Sequence, residues 1–151
     1  MIEITDKTKC SGCHACQSIC PKQCIKMIED EEGFLYPSVI EEKCIQCGLC
    51  EKICPILHPL GNNKEESDIC AYAAYTKDDE IRKNSSSGGM FTEISRWVIE
   101  RQGVVFGAAF DESFQVRHMS AETEEELAKF RGSKYVQSII GDSYMQAKRF
   151  L

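Results

Sequence analysis

Lys9-Cys10-Ser11-Gly12-Cys13-His14-Ala15-Cys16-Gln17-Ser18-Ile19-Cys20-Pro21 returns, at an offset of 34 residues, as Lys43-Cys44-Ile45-Gln46-Cys47-Gly48-Leu49-Cys50-Glu51-Lys52-Ile53-Cys54-Pro55. Both copies read K-C-x-x-C-x-x-C-x-x-x-C-P, so eight of the ten cysteines fall into two identical frames. The stretch that holds them is short of apolar residues for a conventional core, and a segment of this size needs another source of stability. Thiolate-bound inorganic groups would supply it, because their binding free energy is also folding free energy.

The frame has a geometric logic. Two-residue gaps let a tight loop bring three thiolates to three corners of one cubane, while the fourth cysteine sits beyond them on a segment ended by proline. This run is the bacterial [4Fe-4S] signature, in which the fourth cysteine serves the other cluster. Cys10, Cys13, Cys16 and Cys54 then form one site, and Cys44, Cys47, Cys50 and Cys20 the second. A zinc ribbon would show two separated C-x-x-C pairs instead of two triplets. Cys10 to His14 also spells the C-x-x-C-H of c-type haem attachment, but the second copy has Gly48 where His14 stands. Cys24 and Cys70 are left over and read as small buried hydrophobes, with Cys24 near enough to the first run to pack against a cluster. His58 receives no ligand role, because eight cysteines complete both sites.

The 151 residues carry 18 basic and 24 acidic side chains, a net charge of -6 that is unsuited to a general nucleic-acid binder. No apolar stretch approaches the roughly 18 residues of a membrane span, and Met1 to Asp6 lack the basic and apolar regions of a signal peptide. The expectation is a cytoplasmic protein, where clustered cysteines are metal or redox groups more often than disulfides.

Residues 1–58 are therefore expected to form a small two-cluster ferredoxin-type domain, with Ile25 to Ile28 and Phe34 to Tyr36 as a hairpin around the acidic turn at Glu29 to Gly33. Polar, turn-forming residues 59–68 read as a linker, and residues 69–151 as a partial α/β domain, giving an α+β chain overall. In the second part the reading is a strand over 69–75, a helix from Gly89 to Gln102 with Met90, Ile94, Trp97, Val98 and Arg101 on one face, and a buried strand over 103–110. The glycine inside that strand predicts a close approach by something else. A further strand over Val116 to Ser120, a capping box at Thr123 to Glu126, a loop from Arg131 running into a strand, and a helix from Asp142 follow. Such a layer has unsatisfied edges, which predicts a fragment completed by a C-terminal domain or by another subunit.

Two stretches in this part carry chemistry. Ser85-Ser86-Ser87-Gly88-Gly89 before a helix offers N–H groups, hydroxyls and a helix dipole to a phosphate or pyrophosphate, and equally describes an ordinary N-cap. Arg131-Gly132-Ser133-Lys134-Tyr135 supplies two cations and an aromatic ring, or a solvated turn. His118 reads as a strand surface residue, and no residue is assigned as catalytic.

The double cysteine run followed by SSSGGMFTEISRWVIERQGVVFGAAFD and RGSKYVQSIIGDSY resembles the beta subunit of coenzyme F-420 hydrogenases and dehydrogenases in its ferredoxin-fused form. The resemblance implies FAD in addition to two [4Fe-4S] clusters, with Ser86, Ser87, Gly88, Gly89, Arg131, Gly132, Ser133, Lys134 and Tyr135 in the flavin region. It implies electron transfer between the clusters and a deazaflavin, another acceptor or a redox partner protein, within a hetero-oligomer. The alternative is a non-enzymatic ferredoxin-type carrier whose second domain docks a partner reductase.

Overall fold

The computed structural model describes residues 1–59 and 70–151. The chain divides into two compact units, Met1–Asp68 and Ile69–Leu151. It is an α+β protein of short helices and small antiparallel sheets. From Leu60 onward the expected linker lies outside the described residues, as does Ile69 of the expected strand.

The first unit follows the repeat. Helices α1 (Ala15–Ile19) and α2 (Leu49–Lys52) each begin one residue after the second cysteine of a run and its left-handed follower, His14 at φ 58° and Gly48 at φ 73°. The residue before that cysteine is left-handed too, Gly12 at φ 61° in one copy and Gln46 at φ 53° in the other. Each loop thus reverses twice around its central thiol. One of the two positive φ values is carried by glycine and the other by a residue that tolerates it at a cost, and the copies exchange which is which.

Between the helices, β1 (Ile25–Glu29) and β2 (Leu35–Val39) pair antiparallel, with Ile25 opposite Val39 and Glu29 opposite Leu35. Asp30 closes the turn by accepting the N–H groups of Glu32 and Phe34 on its carboxylate. The core of this unit is Ile2, Cys16, Cys24, Ile25, Cys50 and Cys54. Four of its six buried residues are cysteines, so the interior is built around sulfur instead of branched aliphatics.

In the second unit α3 (Asp79–Lys83) is capped by the Asp78 carboxylate, which accepts from the N–H groups of Glu80 and Ile81. Helix α4 (Met90–Ile99) starts at Gly89, left-handed at φ 80°. Strands β3 (Val105–Phe110) and β4 (Val116–Ala121) form an antiparallel hairpin. Helix α5 (Glu124–Leu127) opens with a complete capping box between Thr123 and Glu126, and α6 (Ser143–Phe150) closes the unit. The buried cluster of Ala109, Ala121, Leu127 and Phe130 sits where the hairpin meets α5 and the turn after it.

Three expectations change. Residues 70–75 form no strand, and Cys70, expected as a buried thiol, is exposed together with Tyr72 and Tyr75. The loop from Arg131 leads only to a single parallel bridge between Ile139 and Arg117 of β4. In α4 the buried positions are Thr92 and Ser95, while Ile94 and Trp97 face outward at 60% and 57% exposure. Small side chains let the helix lie close to its neighbours, and Arg96 then pins it to α5 through Glu124 at 2.9 Å. The apolar period was real, but the helix is seated on its small polar face.

Candidate functional site

Two cavities in the first unit divide the cysteines between them. One, of about 320 Å³, is lined by Cys10, Cys13, Cys16 and Cys54, with His14 and the apolar Ile2, Ile4 and Met27. The other, of about 370 Å³, is lined by Cys44, Cys47, Cys50, Cys20 and Cys24, with Ile25 and Val39. Each cavity therefore takes three cysteines from one run and one from the other. The crossing follows from the short helices: after α1 or α2 the chain turns at Cys20-Pro21 or Cys54-Pro55, away from its own loop.

The donor set is all thiol, which selects soft centres such as iron–sulfur clusters or zinc. Among the described residues no three His, Cys, Asp or Glu side chains come together tightly enough to hold a single metal ion. Burial pushes the Cys16 thiol up to about 11, so loading this site must displace a proton from it. In the other cavity the sulfurs of Cys20 and Cys24 lie 3.4 Å apart. Burial raises Cys20, but backbone and side-chain hydrogen bonding with Cys24 and the backbone of Lys22 and Gln23 outweigh it, and the thiol falls below its ordinary value.

The second unit has a wider cavity of about 850 Å³. Ser86, Ser87, Gly88 and Gly89 line one part of it and Arg131, Gly132 and Ser133 another. The serine-glycine loop is held against residues 74–76: the Thr76 N–H donates to the Gly88 carbonyl at 2.7 Å, and a Cβ on Gly88 would stand 2.5 Å from the Ala74 carbonyl oxygen. Only glycine permits that approach. Arg131 Nε donates to the buried Thr92 hydroxyl of α4 at 3.3 Å, which joins the two sides of the cavity.

Lys134 and Tyr135 do not line the cavity. The Lys134 ammonium donates to the carbonyls of Lys129, Arg131 and Gly132 at 3.0, 2.9 and 3.1 Å, and burial lowers its pKa. It organises the Arg131 loop from behind. Tyr135 is 94% exposed. Thr92, Met90 and Phe130 line the cavity and carried no motif that would mark them. His118 lies on β4 with Nδ1 2.8 Å from the Ser138 hydroxyl.

The arrangement offers two thiol-lined cavities in one unit and a serine, glycine and arginine cavity in the other. No described helix is long and apolar enough to cross a membrane. A comparison with curated proteins found no match. Residues 9–56 match the family described as 4Fe-4S dicluster domain, and residues 71–142 match coenzyme F420 hydrogenase/dehydrogenase, beta subunit N-term. The chain thus joins, over residues 9–56 and 71–142, a 4Fe-4S dicluster domain to an N-terminal domain of the coenzyme F420 hydrogenase/dehydrogenase beta subunit kind, a combination suited to iron–sulfur electron transfer.

Proposed function

We propose that the chain passes electrons between two [4Fe-4S] clusters and a flavin, as part of an oxidoreductase assembled with other subunits. The observation that carries this reading is the three-plus-one division of the eight cysteines between two cavities. Cys10, Cys13, Cys16 and Cys54 would hold one cluster, and Cys44, Cys47, Cys50 and Cys20 the other. The apolar walls of both cavities limit water around the thiolates, one of the factors that sets a cluster's potential.

FAD is the cofactor proposed for the second unit. The N-terminus of α4, with the hydroxyls of Ser86 and Ser87 and the Arg131 guanidinium, would receive its pyrophosphate. Gly88 keeps the loop tight, and Thr92 holds Arg131 at the cavity. Clusters supply one-electron carriers, and a flavin joins one-electron traffic to hydride chemistry. The acceptor would be a deazaflavin, another two-electron carrier or a partner protein.

The test is anaerobic reconstitution followed by iron and sulfide counts, electron paramagnetic resonance and a flavin titration. About eight irons and eight sulfides per chain, with saturable FAD binding, are expected. Half that iron would overturn the two-cluster assignment. Full clusters with no FAD binding would make the chain a ferredoxin-type carrier that docks a reductase.

A further inference from the structure

The internal repeat is broken at the second thiol-lined cavity. Cys24 lines it beside Cys20, Cys44, Cys47 and Cys50, and is 2% exposed. At the repeat offset its counterpart is His58, which is exposed and does not line the first cavity. The second cavity is therefore lined by five thiols and the first by four.

Cys24 is placed there by its backbone. Gln23 takes a left-handed conformation at φ 50°, and its N–H donates to the Cys20 carbonyl at 3.1 Å. The turn folds Cys24 back onto Cys20, and the Ile40 N–H fixes the Cys24 carbonyl at 2.7 Å. The two sulfurs end 3.4 Å apart, within hydrogen-bonding reach for sulfur. A cysteine that ligates a cluster is a thiolate and can only accept, so in the loaded protein the shared hydrogen belongs to Cys24.

We propose that Cys24 is a positioning residue whose S–H donates to the Cys20 thiolate and raises the reduction potential of the cluster in the second cavity. Reduction adds negative charge to the cluster and its ligands, and a donor on a ligand sulfur stabilises that charge more than it stabilises the oxidised form. No equivalent thiol serves the first cavity among the described residues, so the effect falls on one cluster of the pair. The inference rests on the two-cluster reading, which iron and sulfide counts test separately.

The experiment is potentiometric titration of the reconstituted full chain, followed by electron paramagnetic resonance, in the parent, Cys24→Ala and Cys24→Ser. The midpoint of the second cluster is identified as the one lost in Cys47→Ala. With iron and sulfide unchanged, Cys24→Ala is expected to make that midpoint more negative by roughly a tenfold change in the reduction equilibrium, about 59 mV for one electron, and leave the other in place. Cys24→Ser keeps a donor and should stay nearer the parent. Unmoved midpoints in Cys24→Ala would overturn the proposal and leave Cys24 a space-filling side chain. Equal shifts in both variants would overturn it by assigning the effect to volume. Loss of iron in both would overturn it by making Cys24 a ligand.

Discussion

The ring of Phe130 lies over Gly107 of β3 so closely that a Cβ on the glycine would stand 2.7 Å from its Cγ and Cδ2. Glycine inside a strand weakens it locally, and here the loss is offset by seating an aromatic ring among Ala109, Ala121 and Leu127. Gly107→Ala should destabilise the protein by about 1–3 kcal/mol through overpacking. Phe130→Ala should cost roughly 3–5 kcal/mol through the cavity it leaves. Because the two residues touch, the double variant should be more stable than the sum predicts, which denaturant midpoints of the three variants would measure.

Cys20 and Cys13 lie in the same run but line different cavities. On the proposed assignment, Cys20→Ala is expected to impair the cluster that Cys44, Cys47 and Cys50 would also hold, and Cys13→Ala the one that Cys10, Cys16 and Cys54 would hold. Paramagnetic resonance of the two reconstituted variants should show different surviving clusters. The same survivor in both would contradict the crossing.

Arg131→Ala should weaken FAD binding by roughly ten- to hundredfold, since a charge-assisted contact to phosphate would be lost. Thr92→Val should weaken it less, by freeing Arg131 Nε from its anchor. Lys134→Met acts differently: three carbonyls lose their common donor, and faster proteolysis across residues 129–134 should accompany any loss of affinity. Flavin fluorescence titrations and limited digestion of the same three variants separate these roles.

Asp111 sits at the turn between β3 and β4. It accepts the Gln115 N–H and the Arg117 Nε, the latter at 2.6 Å, and the Ser113 N–H. The Gln115 backbone and then the Arg117 side chain lower its pKa, with the Ser113 N–H adding to them and burial opposing. A carboxylate whose folded pKa is depressed stabilises the fold above its unfolded value, near 3.9, and loses that contribution as pH falls through the folded value. Asp111→Asn should therefore lower the melting temperature at neutral pH and narrow the gap from the parent below about pH 4. An equal gap at pH 7 and pH 3 would refute this.

Much of the first unit was legible because its spacing is a covalent fact. A repeat of four cysteines constrains where thiols can meet whatever the loops do, and the hairpin between the runs is marked by its own turn chemistry at Asp30 to Gly33. The capping box at Thr123 and Glu126 was equally plain, being a contact between residues three apart. What the sequence does not display depends on tertiary choice. Residues 70–75 are apolar enough for a strand, but no described segment pairs with them. Helix α4 buries Thr92 and Ser95 although its apolar period marks another face. Lys134 has the charge expected of a phosphate ligand, yet three backbone carbonyls lie closer than any cavity.

The exchange of one cysteine between the runs has a topological consequence for the hairpin they enclose. With both clusters bound, residues 20–44 would be a loop tied at its two ends through the same inorganic core, and residues 16–54 would be tied again through the other. A protease nick at the exposed turn from Glu31 to Gly33 would then cut the chain without releasing either piece, and chelation of the iron would be the step that lets the halves part.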